Sequence, residues 1–325
     1  MQKRTLGSTG LEIGEVGLGC WQFGGDFGAM DAETGRAILE AAVAHGVDFF
    51  DTADVYGGGR SESWIGEFLH QTGADVTVAT KLGRNGIYPD GYSLDSLRAA
   101  TQQSIDRLGV ETLDLTQLHC VPTQVLRDGD IFGWMDRLKA DGLTQHYGAS
   151  VESVEEALLC LEHPGCETLQ VIFNIFRPKM IDELFAKART QNVGIIVRLP
   201  LASGLLSGKF TRTTKFAEQD HRHYNRDGQA FNVGETFAGL PYETGVDAAE
   251  AVKALVPAGT SMAQMALRWV LDHDAVSTII PGASRSEHVA SNAAASGLPP
   301  LSAELHASFR RHVRENVEPH IRGPY

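Results

Sequence analysis

Asp51, Tyr56, Lys81 and His119 are four side chains able to deliver a proton to a carbonyl oxygen, and each stands at or just past the end of an apolar run. Asp51 and Tyr56 follow Val47-Asp48-Phe49-Phe50, Lys81 closes Val76-Thr77-Val78-Ala79-Thr80, and His119 closes Leu113-Asp114-Leu115-Thr116-Gln117-Leu118. A free phenol titrates near pH ~10 and is a poor acid at neutral pH. An ammonium beside it favours the phenolate, so Lys81 is expected to lower the Tyr56 pKa. Asp51 would keep that lysine charged and aimed, and His119 would complete the hydrogen-bond network or orient a polar substrate oxygen. Tyrosine with a charged lysine suits proton delivery to an alkoxide developing from a carbonyl. The hydride must then come from a cofactor, because no side chain carries one.

Plainer readings exist for each residue. Asp51 with Lys81 is also a structural ion pair, Tyr56 a barrel-mouth aromatic and His119 a core histidine. All four at strand ends, in this order, outweigh those readings taken singly. His45, His70, His163, His221, His223, His273 and His306 show no such arrangement and are read as structural. A Schiff-base role for Lys81, as in an aldolase or isomerase, is disfavoured because Asp51 would hold the amine protonated.

Several strands of one parallel sheet delivering polar groups from their C-terminal ends is how a (β/α)8 barrel builds a site. Strands are expected at Val16–Gly19, Val47–Thr52, Val76–Lys81, Leu113–His119, Gln145–Ser150, Leu169–Asn174, Gly194–Leu199 and Ser277–Pro281, with helical patterns between them. Asp31, Ser61 and Ser93 are placed to cap three of those helices. Thr5–Gly7 and Leu11–Gly14 alternate around a Ser8-Thr9-Gly10 turn and predict a short hairpin. Residues Leu201 to about Val246 lack a period and read as a functional loop after the seventh strand. A last helix around Glu304–Val317 precedes a tail, His320 to Tyr325, expected to fold back over a barrel face. The expected fold is α/β, a (β/α)8 TIM barrel occupying residues 1–325 as one domain. An open doubly wound sheet is the runner-up, but Gly17-Leu18-Gly19-Cys20-Trp21-Gln22 lacks the third glycine of its nucleotide loop.

A net charge of −13 without a basic cluster argues against nucleic-acid or anionic-membrane partners. No apolar run approaches the ~20 residues of a membrane span, and Met1–Gly7 lacks a hydrophobic signal core, so a cytoplasmic protein is expected. Cys20, Cys120, Cys160 and Cys166 form no metal-ligand spacing and read as buried free thiols.

Asp51-Thr52-Ala53-Asp54-Val55-Tyr56-Gly57 with Gly59 and Ser61-Glu62, followed by Lys81 and His119, resembles the aldo-keto reductase family, almost from end to end. Gly148-Ala149-Ser150 and the pair Gln170 and Asn174 are similar to its strand-five and strand-six motifs. Leu199 to Lys209 is similar to the loop that passes over the cofactor pyrophosphate, and Ile280 to Arg285 with Glu287, His288 and Asn292 to the adenosine end. The resemblance implies an NAD(P)H-dependent oxidoreductase acting on an aldehyde or ketone. It implies cofactor contacts at Ser150, Gln170, Pro200, Leu201, Ser203, Gly204, Leu206, Lys209, Gly282, Ser284, Arg285, His288 and Asn292. It further implies a substrate wall of Trp21, Tyr56, His119 and Cys120, with Phe23 and the long loop. Gly282 would permit close backbone approach and the helix after it would favour phosphate. Two departures matter. Val151 follows Ser150 where the family has asparagine, and His288 falls where the family's 2′-phosphate arginine is expected, leaving Arg285 three residues earlier. NADP(H) is favoured and NAD(H), in a sugar or alcohol dehydrogenase running the reverse reaction, is the alternative. A nucleotide-sensing subunit resembling the family's ion-channel β-subunits is less favoured, since the chain has no evident docking tail. Arg222, Tyr224, Asn225, Arg226 and Tyr242 suit a sugar or other polar carbonyl. Oligomeric state is not legible.

Overall fold

The computed structural model describes residues 1–325. An antiparallel hairpin, β1 (Lys3–Thr5) with β2 (Glu12–Gly14), precedes eight parallel strands: β3 (Leu18–Gly19), β4 (Phe49–Asp51), β5 (Thr77–Leu82), β6 (Leu113–His119), β7 (Thr144–Ser150), β8 (Thr168–Ile172), β9 (Gly194–Arg198) and β10 (Val276–Ile279). Each strand pairs with the next in sequence order. Bridges from Val16 to Ile279 and from Gly19 to Gly282 bring β3 and β10 together and nearly close the barrel. Closure requires glycine here: a Cβ on Gly19 would stand 2.6 Å from the Ile280 carbonyl oxygen. The expected hairpin, eight strands and intervening helices are all present.

Alternation along the strands explains both the core and the mouth. Phe49, Ala79, Leu115 and Ile196 meet Leu6, Ile13 and Ile280 in one buried apolar cluster, so the hairpin plugs the N-terminal end of the barrel. Two residues further on, the same inward faces carry Asp51, Lys81, Gln117 and Arg198. Apolar layer below and polar layer above are thus written into one repeat of the pleat. Outward-facing strand residues such as Leu169, Val171, Ile195 and Val197 pack with the helices in a cluster of 56 buried residues.

Two expected caps hold. Asp31 accepts from the Thr34 amide and Ser93 forms a capping box with Ser96. Ser61 does not cap. The helix it was expected to start begins at Arg60, with Gly59 at φ +94° in the cap position. Ser61 instead accepts from the Thr52 hydroxyl at 2.8 Å and donates to the Cys20 carbonyl at 3.1 Å, tying the ends of β3 and β4 together. The last helix, Ala303–Asn316, leads to a tail that does fold back: Arg322 donates to the Gly239 and Leu240 carbonyls, and the Arg177 guanidinium lies 4.5 Å from the centre of the Tyr325 ring. All four cysteines are buried and free. No helix is long and apolar enough to cross a membrane.

Candidate active site

Strand β4 carries Asp51 into the barrel, and the turn after it brings Tyr56 back over the mouth. Gly57, Gly58 and Gly59 follow Tyr56 with φ of +62°, +64° and +94°, a reversal that side chains would strain. Lys81, 1% exposed, donates to Asp51 at 2.5 Å, to the Thr52 carbonyl at 2.8 Å and to the Tyr56 hydroxyl at 3.3 Å. The other Asp51 oxygen accepts from Gln170 at 2.7 Å and Gln117 at 3.1 Å. A buried carboxylate and ammonium are therefore paired and further hydrogen-bonded, which is what permits their burial.

Burial pushes the Tyr56 phenol up to about 12, and Lys81 opposes only part of that rise. The expected lowering by Lys81 is present, but desolvation outweighs it, so the phenol holds its proton at neutral pH. Burial also works against the Lys81 charge, yet Asp51 and Tyr56 more than restore it and its pKa lies above the ordinary value. His119 stands 5.9 Å from Tyr56, ring centre to ring centre and edge-on. Burial, then Lys81, Arg84 and Arg198, hold it well below the usual imidazole range, so it is neutral at pH 7. Its Nδ1 is buried without a partner.

Asp51, Tyr56 and His119 line one end of a cleft of about 430 Å³. Ser150, Gln170, Pro200, Leu201, Ser203, Gly204 and Lys209 line its middle, and Gly282, Ser284, His288 and Asn292 its far end. Trp21 borders the Tyr56 end, its ring stacked 6.0 Å from the Tyr56 ring. Several residues expected at the site lie off the cleft: Phe23 is buried in an apolar cluster, and of the polar residues expected from the long loop only Arg222 lines it, Tyr224, Asn225, Arg226 and Tyr242 being turned elsewhere. Lys81 sits beneath Tyr56, Leu206 is in the apolar core, and Cys120 is buried behind the mouth, where burial pushes its thiol up to about 12. Arg285 is exposed and loosely paired with Glu287 at 3.6 Å. His288 lies below its ordinary pKa through burial and the neighbouring Arg285 and Lys209. The room expected beside Gly282 is taken by a side chain of the protein itself, since a Cβ there would meet Gln22 at 1.8 Å.

Two charged residues of the cleft were not singled out in the sequence. Arg198 and Glu235 line it and face each other at 3.4 Å. Arg198 had a legible signal: Gly194-Ile195-Ile196-Val197-Arg198 is another apolar run ending in a charge. Glu235 lies in the aperiodic loop and had none. Over the Tyr56 end, Asp26 receives bonds from Trp21 Nε1 at 3.0 Å, the Tyr224 hydroxyl at 2.6 Å and, at its carbonyl, the His221 amide at 2.7 Å. That contact joins the loop after β3 to the short helix His221–Tyr224 of the long loop.

The cleft suits a dinucleotide. Polar side chains are spaced along a lining whose exposed surface is mostly apolar, the cleft ends at the start of the helix Ser286–Ala293, and Leu199, Ala202 and Ser203 hold positive φ where the chain crosses it. The strained Ser203 is pinned by its hydroxyl, which donates to the Glu235 carbonyl at 2.9 Å and accepts from the Phe237 amide at 3.2 Å. Ser150, Gln170, Lys209 and Ser284 present hydroxyl, amide and ammonium groups along the way.

Comparison with known proteins agrees with this geometry. The model of the Aldo/keto reductase family matches residues 15–314. Uncharacterized oxidoreductase YqkF of Bacillus subtilis is 27% identical, with 98% of each chain covered. A probable voltage-gated potassium channel subunit beta of Arabidopsis thaliana is 26% identical, with 93% of each covered. The structure of the glycerol dehydrogenase AKR11B4 from Gluconobacter oxydans superposes with a TM-score of 0.79 at 25% identity, covering 97% of this chain and 96% of that one.

Proposed function

The chain belongs to the aldo/keto reductase family, and from that premise we propose that it reduces an aldehyde or ketone to an alcohol with NADPH, Tyr56 giving the proton. The observation that carries this reading is the buried Asp51–Lys81 pair in contact with the half-buried Tyr56, a protonated phenol facing the cleft beside a neutral imidazole. The nicotinamide cofactor supplies the hydride. Tyr56 would protonate the oxygen as negative charge develops there, Lys81 would stabilise the resulting phenolate, and Asp51 holds Lys81 in place. Neutral His119 would donate to or orient the substrate oxygen. Residues 1–325 act together as one barrel domain in this reading.

A small polar carbonyl, such as a sugar or a glycerol-derived aldehyde, is the substrate class that fits best. The cleft is lined by Arg198, Arg222 and Glu235 as well as Trp21 and Phe27, and the similar Gluconobacter protein is a glycerol dehydrogenase. An NAD-linked dehydrogenase running in reverse is the second reading. It draws on the exposed position of Arg285 and its pairing with Glu287, which leave a 2′-phosphate with little preformed support. A Schiff-base mechanism is disfavoured because Lys81 is held charged by Asp51.

Turnover of a panel of aldehydes, ketones and sugars with NADPH and with NADH, followed by nicotinamide absorbance, tests the proposal. No turnover with any carbonyl, while nucleotide still binds, would favour a role like that of the potassium-channel subunits.

A further inference from the structure

Arg198 is the charged residue of the inward polar layer that proton transfer does not use. Tyr56 and His119 come from β4 and β6, so a carbonyl oxygen bound between them occupies that half of the mouth. Hydride transfer requires reacting carbons about 3–3.5 Å apart, and the cleft offers a place for the donor ring on the other half, above β7, β8 and β9. From there it runs past Pro200 and Lys209 to Gly282 and Asn292, room for the rest of a dinucleotide. The three strands of that half end in Ser150, Gln170 and Arg198 as their inward groups, of which Arg198 alone carries a charge.

That charge is buried. Arg198 is 9% exposed, donates to the Val151 carbonyl at 3.1 Å and approaches the Cys120 sulfur at 3.6 Å, and its Nε has no partner. Burial opposes the charge, but Glu235, Cys120 and Glu152 lift the Arg198 pKa above its ordinary value. Its counterion, Glu235, reaches in from the long loop rather than from the barrel. The guanidinium is carried by the end of β9, and the carboxylate by the long loop.

We propose that Arg198 makes the site distinguish the two redox forms of its cofactor, binding the reduced form more tightly. This rests on the nicotinamide reading above. The oxidised ring is a cation and the dihydro ring is neutral, while the remainder of the molecule is identical. A buried guanidinium beside the ring therefore acts on one form only, and with little water between them the repulsion is weakly screened. A ring held in that half of the mouth would gain its positive charge near Arg198 on losing the hydride, while Tyr56 gives its proton to the alkoxide, so the spent cofactor would be bound less tightly than the fresh one. Glu235 keeps the guanidinium in place and offsets part of its field.

Calorimetric titration of the cofactor-free protein with NADPH and with NADP⁺ separately tests this. Wild type is expected to bind NADPH about 10-fold more tightly, a difference of about 1.4 kcal/mol. Arg198→Met should shrink that ratio several-fold, chiefly by tightening NADP⁺, and Arg198→Lys should retain most of it. Glu235→Gln, which removes the opposing charge, should widen it. An unmoved ratio in Arg198→Met, an equal weakening of both forms, or a narrowed ratio in Glu235→Gln would overturn the inference. Failure of wild type to bind either dinucleotide would overturn the oxidoreductase reading, and this inference with it.

Discussion

Lys81 reaches the Tyr56 hydroxyl at 3.3 Å from a position that is 1% exposed. The phenol thus has a permanent cation beneath it and no competing solvent on that side. Its ground state is a protonated, desolvated acid, and its conjugate base has a partner waiting. The arrangement favours the phenolate only once charge has moved, as stabilisation aimed at a transition state should.

Tyr56→Phe should lower kcat by ~10²–10⁴-fold, the usual worth of a positioned general acid, and leave the dissociation constant for NADPH nearly unchanged. Turnover within threefold of wild type would reject Tyr56 as the donor.

Lys81→Met should abolish most activity and also destabilise the fold. It strands Asp51, 2% exposed, without its cation, and breaking a buried pair from one side costs about 3–5 kcal/mol. Urea denaturation measures the loss. Adding Asp51→Asn to Lys81→Met should recover part of the stability but none of the activity, which separates the two roles of the pair.

Asp54 gives a pH signature independent of turnover. Burial and then the nearby Glu62 raise its carboxyl to about 7, although Arg107 pulls the other way. Unfolded, it ionises near ~3.9. Between those values the unfolded chain has released a proton that the fold retains, so this residue's contribution falls as pH rises from about 4 to 7 and is constant beyond. Asp54→Asn should therefore be more stable than wild type at pH 8, by ~1–3 kcal/mol, with little gain at pH 4. Equal effects at both values would show that Asp54 is ionised in the fold.

Arg285→Ala tests the cofactor choice. If Arg285 swings from Glu287 to a 2′-phosphate, its loss should weaken NADPH binding by ~1.5–3 kcal/mol and leave NADH untouched. The contact should weaken with salt because it is exposed. His288 is already depressed by burial and Arg285, so without a bound phosphate it adds no charge until the pH is below ~6.5. Wild-type affinity for NADH equal to that for NADPH at pH 7 would make this an NAD-linked enzyme.

The strands were legible as short apolar runs alternating with helical patterns, and Asp51, Lys81 and His119 because their runs ended abruptly in an ionisable residue. Asp31 and Ser93 were legible as caps for the same local reason. Ser61 was not, because the glycine turn after Tyr56 starts the helix two residues earlier, with Gly59 at the cap, and frees the hydroxyl to tie two strands. The net rise of the Tyr56 pKa depends on how closely β4, β5 and the loops pack, which no spacing reveals. Gly282 looked like room for a ligand, yet Gln22, 260 residues away in the chain but next to it across the barrel seam, fills that room. Arg198 carried the same signature as Lys81 but was read only as part of the expected strand Gly194–Leu199.

Asp26 fastens two loops that are nearly 200 residues apart in sequence, through Trp21, His221 and Tyr224. Whatever crosses the mouth at that end must pass under this span or break it, whereas the Gly282–Asn292 end lies beyond it. The two ends of the cleft therefore differ as doorways, and traffic through them acquires an order. A long dinucleotide laid in from the open end leaves the spanned end for a small reactant, and a reactant already lodged there would block the ring from seating. Initial-velocity patterns with cofactor as the obligatory first arrival, weakened when Asp26→Ala removes the Tyr224 and Trp21 contacts and leaves only His221 bonded to the backbone carbonyl, are the kinetic imprint of that architecture.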